Sequence, residues 1–228
     1  MATQKFVDTK VAYGYAKAAS KVGSVCTVYR PATAFAPLQS TPLNTTLMAA
    51  FDAKPSLTFT QSIPWDGPIV QGMFDPTGLK VGDMITNQAQ SVSADAQTSV
   101  YFIIRHDPYR PNICALTTNI AQIYDTSQPA QDVQFGSRPP SGPSKAQDVL
   151  IASDWPVAVV MSARGSAAQA KLPTDTRRPT LKLLLPAVPG VVFKGGIRVI
   201  LDTGMYLRVE GAHLSQFGWH LECVEDSV

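Results

Sequence analysis

Along the chain, the spacing of apolar positions changes once. Between residues 9 and 22, Val11, Tyr15, Ala18 and Val22 recur three or four apart, one stripe of an α-helix. Asp8 or Thr9 can cap its start and Gly23 can end it. From "SVCTVYRP" onward the period falls to two: Val25, Thr27 and Tyr29 alternate with Cys26, Val28 and Arg30, a strand stopped by Pro31. The same grammar predicts strands in "SLTFTQSIPW", "GLKVGDMITN", "SVYFIIRH", "NICALTTN" and "AQIYD". It resumes in "DWPVAVVMSARG", "TLKLLLPAVPGVVF", "GGIRVIL", "GMYLRVEG" and "FGWHLECVE". A turn at Asp202-Thr203-Gly204 joins two of these runs as a hairpin.

Two stretches break the pattern. Residues 31–55 form an extended arm whose prolines exclude a long helix, with at most one helical turn near "TLMAAF". Its apolar members Ala34, Phe35, Leu38, Leu43, Leu47, Met48 and Phe51 imply that self-association orders it. Residues 126–148 are rich in Pro, Gly and Ser and read as an interdomain linker. The strand phrases on either side recur in one order. "SVCTVYRP" corresponds to "PVAVVMSARG", "SLTFTQSIPWDGPIV" to "TLKLLLPAVPGVVF", and "LKVGDMITN" to "FKGGIRVIL". "SVYFIIRHDPYRPNICALTTN" corresponds to "GMYLRVEGAHLSQFGWHLECVE". The expected fold is mainly β: two tandem small β-barrel or sandwich domains with one short N-terminal α-helix. The first domain spans 1–125 and the second 149–228.

Composition narrows the function. Charged residues are only 16% of the 228, and 18 prolines favour short strands and turns. A net charge of +2 without a basic run gives no case for specific nucleic-acid binding, and no apolar run reaches the roughly 20 residues that span a bilayer. The N-terminus lacks a secretory pattern. Cys26, Cys114 and Cys223 are widely spaced within apolar runs and read as buried, inert thiols. His106, with Arg105, Asp107, Tyr109 and Arg110, forms the densest polar cluster. However, adjacent residues on a strand face opposite ways, so Asp107 does not orient that imidazole. His213 falls in a hairpin connection and His220 on a strand. Asp66, Asp83, Asp175 and Asp202 sit beside Gly, Thr or Pro, as turn residues do. Arg177 and Arg178 mark an exposed loop, and Trp65, Trp155 and Trp219 are too scattered for a stacking platform. Trp219 and Tyr206 are expected core anchors of the second domain. No metal, phosphate-cradle or nucleophile motif is present, so no catalytic, cofactor-binding or metal residue is assigned and no enzyme activity is expected.

The helix with "AKAASKVGSVCTVYRP" running straight into a strand resembles the opening of tailed-phage head–tail connector proteins of the head-closure type. The ending resembles a group of phage virion proteins encoded near the neck and tail genes. In that group a Gly-Asp hairpin ends in "GW-x-L", matched here by Asp202, Gly204, Tyr206, Val209, Ala212, Leu214, Gly218, Trp219 and Leu221. The chain departs from it at Gly196-Ile197, where the pattern has Gly-Asp. The resemblance implies a virion component at the neck, collar or tail, made in the host cytoplasm and without enzymatic activity. Its implied partners are copies of itself in a homo-oligomeric ring, with portal-side or connector-side and tail-side virion proteins above and below. The alternative is a tail or baseplate component, or a β-rich appendage module that binds host glycans.

Overall fold

The computed structural model describes residues 4–52, 68–87, 98–106, 111–126, 148–161 and 180–226. Helix α1 (Gln4–Val22) begins before the expected cap, so Asp8 and Thr9 lie within it, and the Thr9 hydroxyl donates to the Lys5 carbonyl at 2.8 Å. Its buried anchor is Ala19; Val11, Tyr15 and Ala18 are half-buried, and Val22 is 70% exposed. Gly23 ends the helix as expected. Its N–H donates to Ala19 at 2.7 Å, and a Cβ would lie 2.6 Å from the carbonyl oxygens of both Ala19 and Ala49. Only glycine permits that approach.

The next six strands are β1 (Ser24–Tyr29), β2 (Asn44–Asp52), β3 (Ile69–Phe74), β4 (Met84–Asn87), β5 (Ser99–Arg105) and β6 (Asn112–Leu116). They close an antiparallel barrel in the order β1-β2-β3-β6-β5-β4. The last six are β7 (Asn119–Asp125), β8 (Val149–Met161), β9 (Thr180–Leu185), β10 (Arg198–Leu201), β11 (Tyr206–Ser215) and β12 (Gly218–Glu225). They close a second barrel in the order β7-β8-β9-β12-β11-β10. The fold is therefore mainly β, two tandem small barrels with one N-terminal helix, and strand order is identical in the two halves.

Register is shared as well as order. Tyr29 pairs with Met84 as Tyr124 pairs with Arg198, and Ser24 with Ala49 as Asn119 with Val157. Val70 pairs with Cys114 as Leu181 pairs with Cys223. A bulge between Cys26 and Val28 recurs between Ala121 and Ile123, and one between Ile103 and Arg105 recurs between Val209 and Gly211. Ahead of the fourth strand of each barrel, a glycine at positive φ (Gly82 at 90°, Gly196 at 92°) donates its N–H across 2.8 Å, to Ile103 and to Val209 respectively.

Three sequence expectations change. First, the counterpart of "SVCTVYRP" is β7, not "PVAVVMSARG", since β7 pairs with β8 and β10. The domain boundary expected after residue 125 therefore falls at Thr117-Thr118. Thr117 donates its N–H and hydroxyl to Val100 in barrel 1, while the Thr118 N–H donates to Val157 in barrel 2. The Pro/Gly/Ser-rich segment, of which 127–147 lie outside the described residues, connects β7 to β8 within the second barrel. Second, "TLMAAF" is part of strand β2, not a helical turn. Leu47 and Ala49 are buried while Met48 and Ala50 are half-buried, a period of two. Third, the arm packs on its own chain. Phe35 bridges Ser153 in parallel, the Ala36 N–H donates to Ser153 at 3.0 Å, and the Trp155 indole N–H donates to the Ala34 carbonyl at 2.6 Å. Expected strand "SLTFTQSIPW" lies outside the described residues.

Two hydrophobic clusters hold the molecule together. Cys26, Val28, Leu47, Phe74, Ile85, Ile103 and Cys114 fill barrel 1. The other fills barrel 2 and also takes in Met84, Phe102, Ile104 and Ala115, which belong to barrel 1. Those four alternate with the barrel 1 interior residues Ile85, Ile103 and Cys114, so they point outward from it. On barrel 2 the cross-strand neighbours Ala158 and Leu184 also face outward, yet both are buried. The barrels thus dock through an apolar outer face of β4–β6 against the outer face of β8–β9. Each large side chain buried there contributes about 1.5–3 kcal/mol.

Candidate functional site

A cleft of about 310 Å³ lies where the barrels meet, between the end of β1 with residues 80–83 and, opposite, residues 186–187 with the β11–β12 tip at 215–218. Its charged element is Arg30 with Asp83. Arg30 Nε and Nη2 donate to the two Asp83 oxygens at 2.7 Å each, and Nη2 also reaches the Gly78 carbonyl at 2.8 Å. The Lys80 backbone N–H donates to Asp83 Oδ2 at 2.8 Å, and Asp83 is 2% exposed. Hydrogen bonding to Asp83 holds the Arg30 guanidinium above its ordinary pKa, against a smaller opposing effect of burial. Three donors on this buried carboxylate clamp the loop to the strand. The local pattern marks Asp83 as a turn residue; its pairing with Arg30, 53 positions away, lies beyond that pattern.

A second concavity, about 600 Å³, runs between α1 and residues 75–79. Lys5, Asp8, Tyr13, Asp75 and His106 line it. Asp75 accepts the Thr77 N–H at 2.9 Å, an Asx turn, and Asp8 accepts from Gln4 at 3.4 Å. His106 Nδ1 lies 2.7 Å from Oδ1 of the buried Asn112. The ring is thus oriented by an amide in place of the carboxylate a charge-stabilised general base uses. Asp107, Tyr109 and Arg110 lie outside the described residues, as do Trp65, Asp66, Asp175, Arg177 and Arg178.

The remaining candidates disperse. Asp202 accepts from Asn119 at 2.9 Å at the β10–β11 turn. His213 and His220 face each other across β11–β12; burial first, then Lys182, lowers the His220 pKa, and Glu222 opposes that shift. Trp155 is fully buried and Trp219 6% exposed, edge-on to Phe193 at 5.1 Å, so both anchor the core. Tyr206 does not: its side chain alternates outward with the inward Leu207 and Val209 and the residue is 38% exposed. All three thiols are free and buried. Desolvation raises Cys114 strongly and pushes Cys223 up to about 12. Among the described residues, no group of three or more His, Cys, Asp or Glu is placed to hold a metal ion.

Surface chemistry separates the two barrels where interior chemistry does not. The outward positions Met84, Phe102, Ile113 and Ala115 of barrel 1 correspond by register to Arg198, Arg208, Glu222 and Val224 of barrel 2. One face is a dry docking surface, the other largely charged. No protein-family model, no curated protein and no solved structure matches the chain.

Proposed function

We propose that the chain is a structural component of a tailed-phage virion that forms a ring at the head–tail junction. Portal- or connector-side proteins contact one rim and tail-side proteins the other. The observation that carries this reading is the outer surface of α1 on the first of two packed barrels. Phe6 (55%) and Tyr13 (65%) are exposed on a helix whose buried residue is a single alanine. Large apolar side chains exposed together on one element mark a contact surface. The polar groups of both cavities support the same reading, because the clamp Arg30–Asp83 and the pair His106–Asn112 hold loops to strands. The resemblance of the chain's ending to phage virion proteins encoded near the neck and tail genes supports a place at the neck or tail.

Interrupting the gene in the phage tests the proposal. The expected outcome is filled heads and complete tails that fail to join, restored by the protein supplied in trans. Intact tailed particles defective only in adsorption would contradict it and favour a host-binding appendage.

A further inference from the structure

His213 and His220 are opposite partners across β11 and β12, so their imidazoles leave the same face of the hairpin. That face is the outer one, because Trp219 and Leu221 on either side of His220 point into the core of barrel 2. His220 is also paired with Leu184 of β9, whose outward side chain is buried in the contact between the barrels. The His220 ring thus stands at the margin of the docking face, and its Nε2 is shut off from water. His213, on the strand away from that face, is exposed.

The surroundings of the pair disfavour a positive charge. Glu222 shares the outer face of β12, but it lies opposite Lys182 of β9 in register. Met84, Phe102, Ile104 and Ala115, the barrel 1 side chains of the docking face, are uncharged. A proton on either ring would place a cation opposite a second imidazole and near Lys182, with Glu222 in partial compensation. Burial first, then Lys182, holds the His220 ring below its ordinary value of 6.5; Glu222 opposes that shift and His213 adds a smaller push in the same direction. The folded chain therefore resists a proton that the unfolded chain accepts near 6.5. Stability drawn from the neutral ring is complete above about pH 6.5 and declines as pH falls below it, until the folded ring is charged as well.

We infer that the His213–His220 pair makes the seat of β9 and β12 on barrel 1 sensitive to acid. Neutral rings keep the margin of the docking face free of charge, and acidification puts a cation there that loosens the contact between the barrels. This joint acts within one chain, whether or not copies assemble into a ring.

Urea unfolding of the full chain between about pH 8 and about pH 5.5 tests this, with His220→Gln and His213→Gln beside the wild type. The wild type is expected to lose stability as pH drops below about 6.5, His220→Gln to lose most of that dependence and His213→Gln a smaller part. Other groups titrate alike in both chains, so the difference between wild type and His220→Gln isolates His220. Hydrogen exchange locates the effect: protection factors in β9, β12 and the facing strand β5 should fall with acid in the wild type and hold in His220→Gln. Should His220→Gln not fold, the wild type decides by itself. An imidazole NMR titration that charges His220 below 6.5, with β9 and β12 losing protection as it does so, supports the joint, and a value at or above 6.5 overturns it. Equal pH dependence in wild type and His220→Gln, or acid losses confined to strands other than β9 and β12, would also overturn it.

Discussion

The two barrels share a strand order, a register and two bulges, yet they treat their outer faces in opposite ways. In barrel 1 the fifth strand is apolar on both sides, since Tyr101 and Ile103 face inward while Phe102 and Ile104 pack on the neighbouring barrel. In barrel 2 the equivalent strand alternates, with Leu207 and Val209 inward and Arg208 and Glu210 in solvent. The interior of each copy specifies the barrel; the exterior specifies what each copy may touch. A smaller reversal occurs where the first strand ends. Arg30 pairs there with loop carboxylate Asp83, whereas its counterpart Asp125 pairs with the loop cation Lys194 at 3.3 Å, and buried Ile197 occupies the place of Asp83. That accounts for Gly-Ile at 196–197: the strand-end charge has changed sign, and an anion in the loop would face Asp125.

Exchanging residues between the copies breaks the comparison most severely at the docking face. Phe102→Arg, which gives barrel 1 the residue of barrel 2, places an unpaired charge in the dry contact and should cost more than about 4 kcal/mol in urea unfolding. The reciprocal Arg208→Phe should change stability by about 0.5 kcal/mol or less, because that side chain stands in water. Next comes the core of the second copy. Trp219→Ala should cost about 3–5 kcal/mol and Tyr206→Ala under about 1 kcal/mol, measured the same way. The charge clamps rank third. Asp83→Asn weakens the hold on Arg30 and should cost about 1–2 kcal/mol, because the Arg30 side chain is 36% exposed and water takes up part of the loss. Asp125→Asn should cost about 1 kcal/mol or less, since the Lys194 side chain is 53% exposed and screened by water.

The smallest effect concerns the thiols at equivalent positions, Cys114 and Cys223. Both are raised by burial, so the unfolded chain ionises first, near its ordinary value of 9.0, and the folded chain later. Their contribution to stability is complete below pH 9 and declines as pH climbs from about 9 toward about 12. Unfolding free energy against pH should fall across that window, and Cys114→Ala/Cys223→Ala should flatten the slope whatever it costs at neutral pH.

Much of this was legible in the residues. Periods of 3.6 and 2 locate α1 and most described strands, and the Asp202-Thr203-Gly204 turn forms with Gly204 at φ 81°. β2 was lost because Leu47-Met48-Ala49-Ala50 is apolar at every position and satisfies either period. The first strand of the second copy was misassigned although its text, Ile120-Ala121-Gln122-Ile123-Tyr124-Asp125, tracks Val25-Cys26-Thr27-Val28-Tyr29-Arg30 position by position. The prolines that follow it drew the boundary one strand too late. The docking face also left a trace, an unbroken apolar run at 100–104 where the copy alternates, since a strand buried on both sides has no polar face to show. The Arg30–Asp83 clamp left none, because nothing local marks two charges that meet only after the barrel closes.

The central claim is that residues 119–125 open a second barrel that repeats the first in register. Interstrand nuclear Overhauser effects in the isotope-labelled chain test it most directly. The account predicts contacts of Ile123 with Val199 matching those of Val28 with Ile85, and of Cys223 with Leu181 matching those of Cys114 with Val70. Contacts of Ile123 with strands of the first barrel, or pairing in the second barrel shifted by one residue, would contradict it.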